Sequence, residues 1–110
     1  MPHNFVMIGF IKMILPKAKI IYCKRNSMDN CFSLYAHKFV DKNHGYCYNQ
    51  EVLGEYYKKH TDLMSHWLSI FRKDIFVLEN EKLIDNQEKI SREMIEFCGL
   101  KWESKCLYFY

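Results

Sequence analysis

The sequence KAKIIYCKRNSMDNCFSLY, residues 17–35, decides the fold because its apolar pattern changes period in the middle. A short strand is predicted at about 19–23, where apolar residues follow one another as in parallel strands covered on both faces. A helix is predicted at about 27–40, with Asn26 or Ser27 as its N-cap. The stretch therefore predicts a buried strand that leads directly into a helix.

The start of this helix is a candidate anion site. The first backbone N–H groups of a helix have no partner within it and carry a partial positive charge, so they attract phosphate. Arg25, just before the helix, can add a bidentate cationic fork. Ser33 lies off the apolar set of the helix, so its hydroxyl is free to bind a ligand. That set is Met28, Cys31, Phe32, Tyr35 and Phe39. The residues alone leave open whether Arg25 instead forms a surface salt bridge and Ser33 is merely solvated.

The composition is that of one globular domain. The chain has 110 residues, of which 49% are apolar and 26% charged, and this excludes a disordered chain. The formal charge is +3, but residues 1–25 contain five basic side chains and no acidic one. Such a basic segment favours an anionic partner, which could be a nucleotide, a nucleic acid or a membrane surface.

The five cysteines argue against a disulfide framework, because their number is odd and no C-x-x-C motif occurs. Cys31 and Cys47 with His37 and His44 match no standard ligand spacing, so we expect no metal. Free thiols are typical of a reducing compartment, and we expect a cytoplasmic protein. The apolar segment 5–15 is too short to span a bilayer and is interrupted by a lysine, so no membrane span is expected.

The other elements are predicted from apolar period and turn residues. The long helix is predicted from apolar residues that recur every three or four positions. The last helix is predicted from a capping box of Asp85 and Glu88 and from Gly99 at its C′ position. These elements are a buried helix at 4–15, a surface loop at 41–49, a long helix at 50–72, a second buried strand at 75–78 and a helix from about 85 to 99.

The spacing Arg-Asn-x-x-Asp-x-x-x-Ser, from Arg25 to Ser33 directly after an apolar strand, resembles a known motif. It is similar to the 3′-phosphate-binding segment of sulfotransferases that use 3′-phosphoadenosine 5′-phosphosulfate (PAPS). The flanking sequences resemble bacterial, tetratricopeptide-associated members of this family, and the resemblance covers nearly the whole chain. The flanking segments that carry it are residues 1–5, 9–11, 15–21, 77–83 and 97–102.

The resemblance implies a fold, a reaction and a site. The fold would be α/β, part of a three-layer α/β sandwich of the P-loop nucleotide-kinase type, mostly helical with two short buried parallel strands. The reaction would transfer a sulfuryl group from PAPS, as co-substrate and without a metal, to a hydroxyl or amine acceptor. Arg25 and Ser33 would bind the 3′-phosphate of the donor.

Three departures from the family pattern limit this expectation. The Gly/Ser/Thr-rich loop that cradles the 5′-phosphosulfate is absent, and so is the segment that closes over the nucleotide. Asn80 stands where many members have a tyrosine that stacks on adenine. Residues 1–110 would therefore be the middle-to-C-terminal portion of the domain, and its partners would include the remainder of the domain or a second copy. We expect adenosine 3′,5′-bisphosphate to bind weakly and the chain alone not to turn over.

The catalytic base cannot be assigned from the sequence. His3 lies near the position of the histidine base of many members, but an exposed histidine at a helix start is the alternative. Tyrosines 46, 48, 56 and 57 either line an acceptor or adenine pocket or pack in the core and its rim, and His60 and His66 are expected in packing or surface positions. The alternative function is a non-catalytic remnant or basic module that binds an anionic partner such as RNA, although we expect a nucleotide rather than nucleic acid.

Overall fold

A computed structural model describes residues 3–37 and 42–108. These residues are mostly helical and contain a small parallel sheet. Residues 38–40, the first residue of the predicted loop and the two C-terminal aromatic residues lie outside the described residues. The helix predicted at 27–40 ends at Ala36, where His37 is extended, so the predicted end is wrong. The elements are α1 (Ile8–Ile14), β1 (Ile20–Lys24), α2 (Ser27–Ala36), α3 (Gln50–Ile70), β2 (Ile75–Glu79), α4 (Asn80–Asp85) and α5 (Gln87–Phe97), with 3-10 helices at Asn4–Met7, Lys42–Tyr48 and Ser104–Leu107.

The parallel sheet places the carboxyl ends of both strands side by side. β1 pairs with β2 in parallel, with Ile20 opposite Ile75 and Lys24 opposite Glu79. α2 begins three residues after β1 ends, and α4 follows β2 directly. In a parallel sheet the crevice at the carboxyl ends of the strands is the usual place for a ligand.

Helices cover the sheet only in part. Residues of α1 and α3 pack on the face that carries Ile20 and Ile75, and Phe97 of α5 contacts Phe76 on the other face, with 5.4 Å between ring centroids. Within the described strands Ile75 alone is buried, whereas Ile21 is 38% exposed. The prediction of strands buried on both faces is therefore wrong, because the described helices leave much of β1 open.

The core under the sheet joins α1 to α3. Ile8, Met64 and Ile75 form its buried centre. The Trp67 indole N–H donates to the Phe5 carbonyl at 2.9 Å. A Cβ on Gly9 would lie 2.7 Å from the Trp67 ring, so only glycine allows this approach. These contacts hold Phe5 and Gly9 against α3.

The prediction that the first helix is buried is wrong. Phe10, Met13 and Ile14 are exposed by 55%, 79% and 60%. α1 has seven residues and packs through the side that carries Ile8 and Lys12, which are buried. Apolar residues nearly all round the helix therefore do not place it between two layers of the described residues.

The packed face of α2 also differs from the predicted one. Met28 and Phe32 are 77% and 72% exposed, while Cys31 and Leu34 are half-buried on the side that faces α3. An apolar pattern of helical period defines neighbouring stripes, and it does not say which of them packs. Asn26, one of the two predicted candidates, is the N-cap, and its side-chain oxygen accepts from the Met28 and Asp29 N–H groups at 2.9 and 3.4 Å.

The surface loop predicted at 41–49 is wrong over its described part. Lys42–Tyr48 forms a 3-10 helix, and Cys47 is fully buried, with 0% of its surface exposed. Turn-forming residues indicated a loop, but a small apolar thiol at one position anchors the segment against α3.

The predicted capping box at the last helix is wrong as well. Asp85 ends α4, and α5 begins at Gln87 without a side-chain cap. Glu88 instead pairs with Arg92 one turn later at 3.0 Å. Gly99 does end the helix region as predicted, since its φ is 75° and the Leu100 N–H donates to the Ile95 carbonyl at 3.1 Å.

The positive N-terminal segment is partly neutralised by a distant acid. The Lys12 ammonium is buried, lies 3.0 Å from the Asp74 carboxylate and also donates to the Pro16 and Ala18 carbonyls. Lys19 pairs with the other oxygen of Asp74 at 3.1 Å. Asp74 therefore pairs with two of the five basic side chains of residues 1–25 and offsets one unit of their positive charge.

Candidate functional site

Arg25 and Ser33 line one shallow hollow on the side of α2, with a volume of about 400 Å³. Arg25 lies in the turn between β1 and α2, and Ser33 is exposed on the second turn of the helix. The rest of the lining comes from Asp29, Phe32, Ala36 and His37. The structure thus brings together the two residues that the sequence motif singled out, and we call this hollow the Arg25–Ser33 site.

The Arg25–Ser33 site offers donors to an anion. Among residues 3–37 and 42–108, Arg25 forms no ion pair within 4.0 Å, so its guanidinium has five N–H donors for a ligand. The Ser33 hydroxyl adds one donor. The Asp29 carboxylate lies in the same lining. Because its negative charge repels phosphate, it limits the part of the helix along which a phosphate can lie.

The N-terminal amides of α2 are not free as expected. The N–H groups of Met28 and Asp29 already donate to the Asn26 side chain. The expectation of open amides at the helix start is therefore wrong, because the N-cap itself occupies two of them. The donors that this site offers to an anion are therefore side chains along the helix rather than these two capped amides.

Glu81 holds the turn that carries Arg25. The Asn26 N–H donates to its carboxylate at 2.8 Å. The pKa of Glu81 is lowered, first by this hydrogen bond, then by its own backbone N–H, with a further contribution from the Arg25 charge. The sequence prediction missed Glu81, although an acid directly after a second parallel strand is a signal that it would lie near the end of the first.

A second cavity opens at the carboxyl ends of both strands. It has a volume of about 540 Å³, and we call it the strand-end cavity. Arg25 lines it as well as the Arg25–Ser33 site, and Glu79 and Glu81 line it from the β2 side. Its remaining lining comes from residues of the β1 end, the α2 start and the middle of α3: Tyr22, Lys24, Asn26, Ser27, Tyr57, Thr61, Met64, Ser65 and Leu68.

A third cavity, of about 580 Å³, runs along β1. Every residue from Lys19 to Cys23 contributes to it. Because successive side chains of a strand point to opposite faces, this lining indicates a cavity along the edge of β1 that does not pair with β2. We call it the β1-edge cavity. Its polar and aromatic lining includes His60 and three of the four candidate pocket tyrosines, Tyr46, Tyr56 and Tyr57.

These tyrosines and His60 pack against one another. The Tyr46 and Tyr56 rings stack with 3.9 Å between centroids, and burial raises the pKa of Tyr46. His60 lies edge-on to Phe5 at 4.5 Å, and desolvation by burial lowers its pKa. His60 is thus a packing residue, as expected, while Tyr48 and His66 are exposed.

His3 lies apart from the Arg25–Ser33 site. Its Nδ1 shares a hydrogen bond of 2.8 Å with the Tyr56 hydroxyl, and its ring lies edge-on to Tyr46. The alternative of an exposed histidine at a helix start is wrong, since His3 is half-buried among these rings. His3 therefore belongs to the aromatic packing beside the β1-edge cavity.

No metal or membrane feature occurs in the described part of the chain. Residues 3–37 and 42–108 contain no group of three or more His, Cys, Asp or Glu side chains that could hold a metal ion. None of the helices formed by these residues combines the length and the apolar character that crossing a bilayer requires.

Comparison with known proteins gives a family. The sequence model of the sulfotransferase family matches residues 1–104. An uncharacterized protein of Aquifex aeolicus (strain VF5) is 35% identical over 112 residues, which cover 100% of this chain and 15% of that protein. No solved structure matches the chain. Because the family match extends over nearly the whole chain, this protein belongs to the sulfotransferase family.

Proposed function

We propose that this chain supplies the 3′-phosphate recognition of a sulfotransferase that transfers a sulfuryl group from PAPS to a hydroxyl or amine. The observation that carries the proposal is the Arg25–Ser33 site, where an arginine without an ion pair among the described residues shares a hollow with an exposed hydroxyl. A planar guanidinium and a hydroxyl are the donors that suit phosphate oxygens.

The chemistry divides between this chain and the donor. PAPS, when bound, supplies the activated sulfuryl group that an acceptor displaces in line. Arg25 would hold two oxygens of the 3′-phosphate, and Ser33 would donate to a third. Residues 1–110 would form the middle-to-C-terminal portion of a three-layer domain related to P-loop nucleotide kinases. The relative is much longer than this chain, which is compatible with further parts of a sulfotransferase site lying elsewhere in such a protein.

Nucleotide titration tests the proposal. Adenosine 3′,5′-bisphosphate and adenosine 5′-monophosphate are titrated calorimetrically into the wild type, Arg25→Ala and Ser33→Ala. Hydrogen bonds to charged groups contribute about 1.5–3 kcal/mol, so we expect Arg25→Ala to weaken bisphosphate binding by about tenfold or more. Ser33→Ala should have a smaller effect. Binding of the monophosphate should change little in either variant.

A matched control removes an arginine elsewhere. Arg72 is exposed and lines none of the three cavities, so Arg72→Ala should bind like the wild type. Equal affinity of the wild type for the two nucleotides would overturn the proposal. We also expect no sulfate transfer by the purified 110-residue chain in a PAPS assay.

The alternative is a basic module that binds an anion such as single-stranded RNA. The structure weakens its motivation, because Lys12 and Lys19 are engaged by Asp74. The same titration with single-stranded RNA separates the two functions. RNA binding stronger than bisphosphate binding, and unchanged in Arg25→Ala, would favour the basic module.

A further inference from the structure

The turn that carries Arg25 is tied to a distant part of the chain. The Asn26 N–H donates to the Glu81 carboxylate at 2.8 Å, across 55 residues of sequence. Glu81 lies in the first turn of α4, directly beyond β2. The hydrogen bond therefore joins the two strand-to-helix junctions at the end of the sheet where Lys24 stands opposite Glu79 in the strand register.

This hydrogen bond acts on the backbone of Arg25. The Asn26 N–H belongs to the planar peptide unit that also contains the Arg25 carbonyl. Because the sheet holds β1 up to Lys24, fixing this plane restricts the ψ angle of Arg25 and hence the direction in which its side chain leaves the turn. From the other side, the Asn26 side chain caps α2 and so fixes the start of the helix that carries Ser33. Both hydrogen-bonding roles of Asn26 thus act on the backbone that joins Arg25 to Ser33.

We infer that Glu81 is a positioning residue of the Arg25–Ser33 site, which keeps Arg25 aimed at the 3′-phosphate by holding the Arg25–Asn26 peptide. The inference rests on the proposed function. Glu81 does not itself pair with Arg25 within 4.0 Å, so the guanidinium stays available to a ligand. Glu81 also lines the strand-end cavity rather than the Arg25–Ser33 site, so it acts through the turn and not on the phosphate.

The opposite role would be competition. A carboxylate near Arg25 that merely occupied the anion site would be displaced by phosphate, and removing its charge would strengthen binding. A positioning carboxylate matters as a hydrogen-bond acceptor, so removing the acceptor would weaken binding while removing the charge alone would not. Glu81→Gln and Glu81→Ala separate these cases, because glutamine keeps an acceptor oxygen and alanine does not.

The experiment measures the ratio of affinities for adenosine 3′,5′-bisphosphate and adenosine 5′-monophosphate. We expect Glu81→Ala to lower this ratio by about five- to tenfold, as loss of one hydrogen bond suggests. Glu81→Gln should keep the ratio within about twofold of the wild type. Glu88→Ala is the matched control, because Glu88 is an exposed acid at the start of α5 that pairs only with Arg92 among the described residues. It should leave the ratio unchanged.

Each outcome decides the inference. An equal loss of affinity for both nucleotides in Glu81→Ala, or a gain in bisphosphate affinity in Glu81→Gln, would overturn it while the Arg25→Ala result leaves the proposed function intact. If Glu81→Ala does not fold, a ratio in Glu81→Gln that is lowered by more than fivefold overturns the inference, and a preserved ratio supports it. Absence of any 3′-phosphate preference in the wild type removes the proposed function and the inference with it.

Discussion

The two ends of the small parallel sheet differ in whether their cations form ion pairs among the described residues. At the end where the strands begin, Lys12 and Lys19 both pair with Asp74, and Lys12 is buried. At the end where they finish, Arg25 forms no ion pair among the described residues, although Glu79 and Glu81 share a cavity with it.

The acids at the finishing end are engaged by other groups. Glu79 pairs with Lys82 at 3.0 Å, and Glu81 accepts the Asn26 N–H. The end where the strands begin thus holds an ion-pair cluster, whereas Arg25 at the other end forms no ion pair among the described residues. A basic segment of sequence therefore divides in space into cations that form ion pairs and cations, Arg25 among them, that form none among the described residues.

The largest effect on stability is expected at the starting end. Asp74→Ala would leave the Lys12 ammonium buried without its counter-charge, which is among the most destabilising changes that a single substitution makes. We expect its Tm, measured by circular dichroism, to lie below those of the wild type, Lys12→Ala and Arg25→Ala. Adding Lys12→Met should recover part of the loss, because the buried charge is then absent. No recovery in the double variant would contradict the cluster's role.

Acid titration should open the same cluster. The Lys12 and Lys19 hydrogen bonds hold the pKa of Asp74 below its ordinary value of 3.8. A depressed carboxyl pKa contributes stability above that ordinary value, and this stability is lost as pH falls through the folded-state value. The difference in Tm between the wild type and Asp74→Asn should be largest near pH 7 and should shrink below about pH 3.8. A difference that stays constant down to pH 2 would contradict this assignment.

A third stability effect lies between the two ends, under β1. Burial lowers the pKa of His60 from its ordinary value of 6.5, so the unfolded chain binds a proton more readily than the folded one. Stability should therefore rise with pH through this region and reach its full value above about pH 6.5. His60→Phe, which keeps a ring against Phe5, should flatten the Tm profile between pH 5 and 7.5. An unchanged slope in this variant would place the titrating group elsewhere.

Local sequence patterns predicted most of the helices and strands, but not which of their faces are buried. The strand-to-helix change near Arg25, the Asn26 cap, the long helix α3 and the Gly99 terminus are each encoded by neighbouring residues, and each was confirmed. The errors arose where one sequence pattern fits two different structures. Asp85 and Glu88 have capping-box spacing, but the helix Asn80–Asp85 had already used Asp85.

In the candidate site, too, the residues close in sequence were predictable and the distant ones were not. Arg25 and Ser33 are eight positions apart on one turn and one helix, so their proximity follows from local structure alone. Glu81 and Asp74 contact residues on either side of β1 only because β2 lies beside β1 in this register. That register depends on tertiary packing, and a single sequence does not specify which residue of a second strand stands opposite the first.

The smallest effect on stability, and the sharpest test of the difference between the two ends, is expected for Arg25→Ala. Its side chain is exposed and makes no ion pair within the described ranges, and substitutions at such positions change stability by about 0.5 kcal/mol or less. The Tm should stay within experimental error of the wild type while bisphosphate binding weakens by about tenfold or more. Lys12→Ala is the matched control, because Lys12 is a cation beside the opposite end of β1. It should lower the Tm, since it removes a buried side chain and leaves the Pro16 and Ala18 carbonyls without their donor. If Arg25→Ala and Lys12→Ala lowered the Tm equally, the two ends of the sheet would not differ in kind, and Arg25 would be a structural cation like Lys12.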